Sequence, residues 1–339
     1  EIESRINELS SFVAQLEASK DELVNQLEIN SVTLSAEKQA EDKVLILTGW
    51  VPKPKNDEFV EFIEQESIIY VSERAKREDS APILLKNNRF ARLFEPIGSL
   101  FTNPTYGELD LTSLFAPFFM MFFGFCLGDA GYGLVLLFGA AIFKRKANKK
   151  MRPILSLVQW LALATIIFGI ITGTFFGIEL VNVEIPFIQK FKNMFLDQNQ
   201  LFALALIVGA IQIVFGMFVK AANEIRLWGW MHSITTFSWL LLILGSGTFY
   251  GLSMVEGVNV EFMGLAHKII LGVAAIGILF FNSPGKNPFV NFGLGLWGIY
   301  NMVTGLFGDI LSYIRLFALG LSSAILGSVF NSLPLENPR

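Results

Sequence analysis

Apolar residues recur by threes and fours along the first thirty positions, at Ile2, Ile6, Leu9, Val13, Leu16, Leu23 and Leu27, with Lys20 at the one seam position that is not apolar. This is about four heptads of coiled-coil pattern. Such a seam needs a second helix, and the soluble sequence offers no other long heptad run. The partner is expected from preceding sequence or from another subunit; packing of one amphipathic helix on a globular lobe is the alternative. From residue 42 the period changes. KVLILTGWV (43–51) predicts a strand stopped by Pro52 and Pro54. DEFVEFIEQ (57–65) predicts a short helix whose acidic first turn suits the positive end of the helix dipole. SIIYVS (67–72) predicts a second strand, and residues 81–110 an extended connection of little periodicity.

From Leu111 the pattern becomes almost wholly apolar, in blocks at 112–143, 154–177, 201–219, 232–251, 267–282 and 290–333. A single membrane span needs about 20 residues. The first block is too long for one span and holds Gly124, Gly128, Asp129, Gly131 and Gly133 near its middle. Loop charge decides how it is used. If it turns back at 128–133, the side bearing the soluble lobe holds Lys144, Arg145, Lys146, Lys149, Lys150, Arg152, Lys220, Arg226 and Lys286. The other side then holds only Lys190, Lys192 and Lys268, with Glu256 and Glu261. A single crossing would strand the six-charge loop outside, so a hairpin of two short arms is expected, shielded by neighbours or strongly tilted. The last block, about 44 residues, would reach roughly 66 Å as a helix, against a hydrocarbon core of about 30 Å. It must tilt, protrude or break, for instance near Gly305–Gly308.

The expected fold is therefore mainly α, a polytopic helical membrane domain preceded by a small cytosolic α/β lobe and part of a coiled coil. Its boundaries are 1–41 for the coiled-coil segment, 42–110 for the lobe and connection, 111–333 for about seven membrane helices, and 334–339 for a short end. The chain opens inside a helical pattern and closes without a cap, so further sequence is expected at both ends. Composition agrees: 53% of the 339 residues are hydrophobic and 33 are Phe, above the roughly 45–50% apolar share of soluble domains. Residues 1–110 carry 21 of the 30 acidic and 12 of the 26 basic side chains, so an acidic soluble part precedes a mildly basic membrane part. The one cysteine, Cys126, excludes an internal disulfide and reads as a small core residue. The charged first thirty residues are not a signal peptide.

Three charged residues lie well inside apolar blocks: Asp129, Asp309 and Arg315. An arginine facing lipid costs roughly 2.5–3.5 kcal/mol on insertion scales, so it points to function. Asp309 stands six residues from Arg315, not at the three or four that let helical side chains meet, so the counter-ion is expected on another helix or chain. Asn301, Thr304, Gly308, Ser312, Ser322 and Ser323 lie on or near the arginine's stripe; such residues either bond to neighbouring helices or line a wet path, and the arginine among them favours the path. Asp129 reads either as a turn cap or as an ion-handling group, and Asp309 either as structural or as part of the path. His232 and His267 lack ligand spacing, so no metal is expected, and Trp160, Trp228, Trp230 and Trp239 fit interface anchoring. No phosphate loop, catalytic triad or carboxylate pair is visible. A non-enzyme without cofactor or nucleic-acid partner is expected.

LTGWVP (47–52), PILLKNNRFARLFEPI (82–97) with NPTYGELDLT (103–112), FFGFCLGDAGYG (122–133) and GDILSYIRLFALGL (308–321) together resemble one family, the membrane stator subunit a (subunit I) of V-type and A-type rotary ATPases. The resemblance implies that Arg315 faces the carboxylates of a rotating ring of small membrane subunits and separates two half-channels for proton or sodium. Ser312, Tyr313, Asn301 and Ser323 would lie near that path. It also implies peripheral-stalk subunits at the cytosolic lobe, a membrane-proximal subunit linked to the central stalk, and contact with membrane lipid. Short loops suggest a prokaryotic plasma membrane with the lobe cytoplasmic. Leu111 stands where the family usually has proline, Asn301 where many members are acidic, and Ser323 where some have histidine. An eighth helix with a second arginine is implied beyond these residues. An independent secondary transporter, expected to show paired broken helices, and a purely structural anchor are the alternatives.

Overall fold

The computed structural model describes residues 2–39, 44–101, 103–180, 197–253, 260–283 and 285–332. They form two compact units, Glu1–Leu84 and Leu85–Arg339. The first holds one long helix, α1 (Ile2–Ser35), whose seam residues Leu16, Leu23 and Leu27 are at least 60% exposed. These three seam leucines thus lie open, covered by no helix among the described residues. Strands β1 (Glu37–Gln39) and β2 (Val44–Ile46) pair antiparallel, with Lys38 opposite Leu45. Pro52 opens a 310 turn, Lys53–Lys55, that feeds α2 (Asn56–Gln65). Proline's fixed φ suits that entry.

Two readings of this unit need correction. The strand expected at 43–51 shrinks to Val44–Ile46, Lys43 lying outside the described residues. The strand expected at 67–72 does not form: Ile69 is 98% and Val71 89% exposed. A run of β-formers becomes a strand only where another strand satisfies its ladder, and Ser67, at φ 54°, turns the chain out of α2 with no such neighbour.

The second unit is a bundle of apolar helices: α4 (Thr112–Leu127), α5 (Ala130–Lys146), α6 (Arg152–Thr172), α7 (Gln198–Trp228), α8 (Ile234–Ser253), α9 (Val260–Phe280) and α10 (Pro288–Ser332). Preceding them, α3 (Glu95–Phe101) follows a 310 turn at Ala91–Phe94. The connection is thus not simply extended, as expected at 81–110. Phe94 is fully buried with Ala116, Leu157 and Leu161, and Phe90, Ile97 and Phe119 pack around it. Phe90 meets Trp160 edge-on at 5.3 Å, a favourable aromatic geometry. Burying aromatics on α4 and α6 draws this segment into helical turns. Its polar side is tied by Asn87, whose Nδ2 donates to Asp110 at 2.7 Å and to Glu95 at 3.0 Å.

Gly128, at φ 36°, ends α4 and donates its N–H to Gly124 at 2.8 Å; that left-handed backbone suits glycine. Asp129 then caps α5 and the chain reverses. α6 lies between the two arms. Gly124 of α4 closes on Ala164, and Gly133 of α5 closes on Ala162 and Ile166. The arms are not equally shielded: Phe138, Ile142 and Phe143 leave the outer face of α5 open. After α6, a tight hairpin of β3 (Thr174–Phe175) and β4 (Ile178–Glu179) follows.

α10 runs 45 residues without interruption through Gly305 and Gly308, about 67 Å at 1.5 Å per residue. The break is therefore excluded, and the helix must tilt or protrude. Among the described residues, four helices are long and apolar enough to cross a membrane, Arg152–Thr172, Asn199–Trp228, Trp230–Ser253 and Pro288–Ser332, and Thr112–Leu127 and Gly264–Phe280 are shorter apolar helices. Lys190, Lys192, Glu256 and the end at 334–339 lie outside the described residues.

Burial opposes the charge on Asp110, yet bonds from the Thr112 side chain and backbone and from Asn87 outweigh it and hold the carboxyl below its ordinary 3.8. A lowered folded-state pKa contributes stability above the unfolded value and loses it as pH falls through the folded one. Asp110→Asn should therefore lower the melting temperature of the purified full-length protein at pH 6, with the gap to wild type closing below pH 3.8. A gap that persists unchanged in acid would refute this reading.

Candidate functional site

α10 presents two faces. Trp297, Asn301, Thr304, Gly308, Leu311, Arg315, Leu319, Ser322 and Leu326 form one stripe at helical spacing, and every one of them is exposed. Arg315 is at its middle. Its Nη2 donates to Ser312 Oγ at 2.9 Å, and Ser312 Oγ donates to the Gly308 carbonyl at 3.0 Å. The guanidinium therefore rests against its own helix. Among the described residues no carboxylate lies within 4.0 Å of it, and the ion pair they contain is Lys220 with Glu224, at 3.9 Å.

The opposite face is anchored. Tyr313 donates from its hydroxyl to Gln212 Oε1 on α7 at 3.1 Å, and its ring stacks on Phe122 of α4 at 5.5 Å. Gly209 of α7 lies so close that a Cβ there would collide with this ring. Phe317 meets Phe202 edge-on at 5.3 Å. Near the far end Gly327 packs on Gly177, and Asn331 Nδ2 donates to the Phe176 carbonyl at 2.6 Å. Small residues allow backbones to approach, the usual way membrane helices pack without a hydrophobic drive.

The Phe176–Gly177 turn is itself held by Asp129, which is only 4% exposed. Asp129 Oδ1 accepts from the N–H of Tyr132 and of Phe176, each at 3.0 Å, and Oδ2 accepts from Gly177 N–H at 2.7 Å. The neighbouring Gly128 carbonyl accepts from Thr172 at 3.0 Å and from Thr174. A carboxylate collecting three backbone N–H bonds satisfies its charge within the protein. Phe176 and Gly177 take φ of 51° and 72°, and these bonds keep that strained turn against α10.

Of the residues singled out by sequence, Ser312 alone touches Arg315 among the described contacts. Tyr313 turns away toward Gln212. Asn301 lies fourteen residues along the helix, about 21 Å, and Ser323 about 12 Å. Asp309 is exposed and makes no hydrogen bond among the described residues. Gln212 escaped notice, although it is the lone amide in the apolar run LFALALIVGAIQIVFGMF (201–218), a signal that could have found it. No group of three His, Cys, Asp or Glu able to hold a metal occurs among the described residues.

Comparison with known proteins finds subunit I sequences. The chain is 26% identical over 350 residues to V-type ATP synthase subunit I of Borreliella burgdorferi, covering 98% of this chain and 57% of that protein. It is 30% identical over 300 residues to A-type ATP synthase subunit I of Methanothermobacter thermautotrophicus, covering 86% and 42%. With A-type ATP synthase subunit I of Methanocaldococcus jannaschii the identity is 27% over 325 residues, covering 86% and 46%. The chain thus spans about half the length of these relatives. No protein-family model matches it.

Asp129→Asn would set an amide N–H against a backbone N–H. It should destabilise the protein by about 1–3 kcal/mol, and hydrogen exchange should accelerate at Phe176 and Gly177. Unchanged exchange at these two amides would show that Asp129 does not hold the turn.

Proposed function

Because this chain belongs to the subunit I family of V-type and A-type ATP synthases, we propose that it is the membrane stator of a rotary ATPase. In this reading α10 lines the ion path and Arg315 meets the carboxylates of the rotor ring. One observation carries it: a guanidinium on the exposed stripe of an apolar helix, with no carboxylate within 4.0 Å among the described residues. A charge left without a partner in lipid is costly, so the partner belongs to another chain. A counter-charge that arrives and leaves fits a rotor, whereas a fixed partner would fill the site.

The chemistry follows from the side chain. Guanidinium stays protonated at working pH and offers a planar fork to carboxylate. It favours the ionised ring carboxylate, which releases its proton or sodium to one half-channel, and it blocks direct leakage to the other. The bond to Ser312 holds the guanidinium along the helix until a carboxylate replaces the serine oxygen. Asp309, six residues back on the helix, and Asn301 and Ser323 are further polar positions along the path. Anchoring by Tyr313 and Gln212 fixes the rotation of α10, so that the arginine stripe faces outward. The subunit performs no bond chemistry. Its soluble lobe lies in the cytoplasm of a prokaryotic cell, where it meets peripheral-stalk subunits and the membrane-proximal subunit of the central stalk.

Arg315→Ala in the full-length subunit should abolish ATP-driven ion pumping in reconstituted vesicles while the complex still assembles. Arg315→Lys should restore little, because ammonium lacks the planar fork. Pumping at the wild-type rate in Arg315→Ala would overturn the proposal.

A further inference from the structure

The turn between α5 and α6 gathers charge that the ion path does not use. Lys144, Arg145, Lys146, Lys149, Lys150 and Arg152 fall within nine residues. Between the two helix ends lies an open cleft of about 320 Å³, lined by Ala141, Lys144, Arg145, Arg152 and Gln159. Lys144 Nζ donates to Gln159 Oε1 at 3.0 Å, which fixes the ammonium at the cleft wall. Arg152 spends only its Nε on the Ala147 carbonyl, at 3.3 Å. Among the described residues no carboxylate lies within 4.0 Å of any of these six cations. Directly along α5 from the cleft, Val135, Phe138 and Ile142 form an exposed apolar stripe, each at least 58% exposed.

We propose that this cleft binds the phosphate headgroup of an anionic phospholipid, with an acyl chain laid along the outer face of α5. Arginine and lysine at one wall offer charge-assisted bonds to phosphate oxygens, and basic pockets between membrane helices suit anionic headgroups. The apolar stripe decides between sources of phosphate. A free anion has no use for Val135, Phe138 and Ile142, whereas a lipid joins anion and hydrocarbon in the order in which α5 presents their partners. Loop cations alone would set the orientation of the chain, but orientation requires neither a cleft nor a lysine fixed by Gln159. Occupation would relieve repulsion among six like charges and cover the arm of the hairpin that its neighbours leave open. This site rests on insertion in a membrane and not on the role of Arg315.

The test uses purified full-length protein in detergent and native mass spectrometry, with phosphatidylglycerol or phosphatidylcholine of equal chain length added. Wild type should retain phosphatidylglycerol on the order of tenfold better, the ratio a single good polar contact supplies. The triple variant Lys144→Gln, Arg145→Gln, Arg152→Gln should lose that preference. The variant Lys146→Gln, Lys149→Gln, Lys150→Gln removes the same charge away from the cleft and should keep most of it. Arg145→Gln with Arg152→Gln changes only exposed side chains, keeps the fold and should give most of the loss. No preference in wild type, or equal loss in both triple variants, overturns the proposal. So does binding of inorganic phosphate without any preference between the lipids, which would make this a free-anion site.

Discussion

The carboxylate of Asp129 is where the bundle's irregular backbone is brought under control, and the placement of α10 depends on it. A reversal at Gly128 and a second tight turn at Phe176–Gly177 each expose backbone groups that helices would satisfy internally. In a membrane, such groups need partners within the protein. Asp129 accepts three backbone N–H bonds and the Gly128 carbonyl accepts two threonine hydroxyls. Two irregular segments, far apart in sequence, thereby become one knot. Gly327 and Asn331 of α10 dock on that knot, so a buried charge near the first hairpin helps set the position of the last helix.

Arg315 is the reverse case. Asp129 is buried and satisfied by its own chain, whereas Arg315 is exposed and leans on a serine hydroxyl three residues away. The two charges stand in similar apolar sequence, yet their surroundings give them opposite characters. The difference is the neighbour: a turn full of free N–H groups beside one, an open helix face around the other. Anchoring on one side of α10, through Tyr313, Gln212 and Phe122, makes the openness of the other side a fixed property.

Legibility varied with how local the deciding force was. The six apolar blocks became helices, the first as two arms either side of Gly128, because helical backbone bonds close within each segment, whatever surrounds them. The reversal at Gly128 was visible for the same reason, since glycine and an Asp cap act over a few residues. SIIYVS misled because a strand depends on a partner that sequence does not name. Phe90 and Phe94 misled in the opposite direction: a segment with little periodicity became helical turns once its aromatics found α4 and α6. Arg315 stood out in the sequence as a charge without a helical partner, and Asp129 left two readings open there.

The sequence by itself determined that this chain is a membrane bundle, where its long apolar helices fall, and that Arg315 lacks a counter-ion at helical spacing. Hydrophobic runs, caps and spacing are properties of neighbours along the chain. Tertiary structure alone decided that Asp129 ties two turns together, that Tyr313 points to Gln212 and away from the arginine's stripe, and that α10 passes Gly305 and Gly308 unbroken. Those outcomes depend on which surfaces meet, and side chains more than a hundred residues apart, such as Tyr313 and Gln212, carry no local sign of each other.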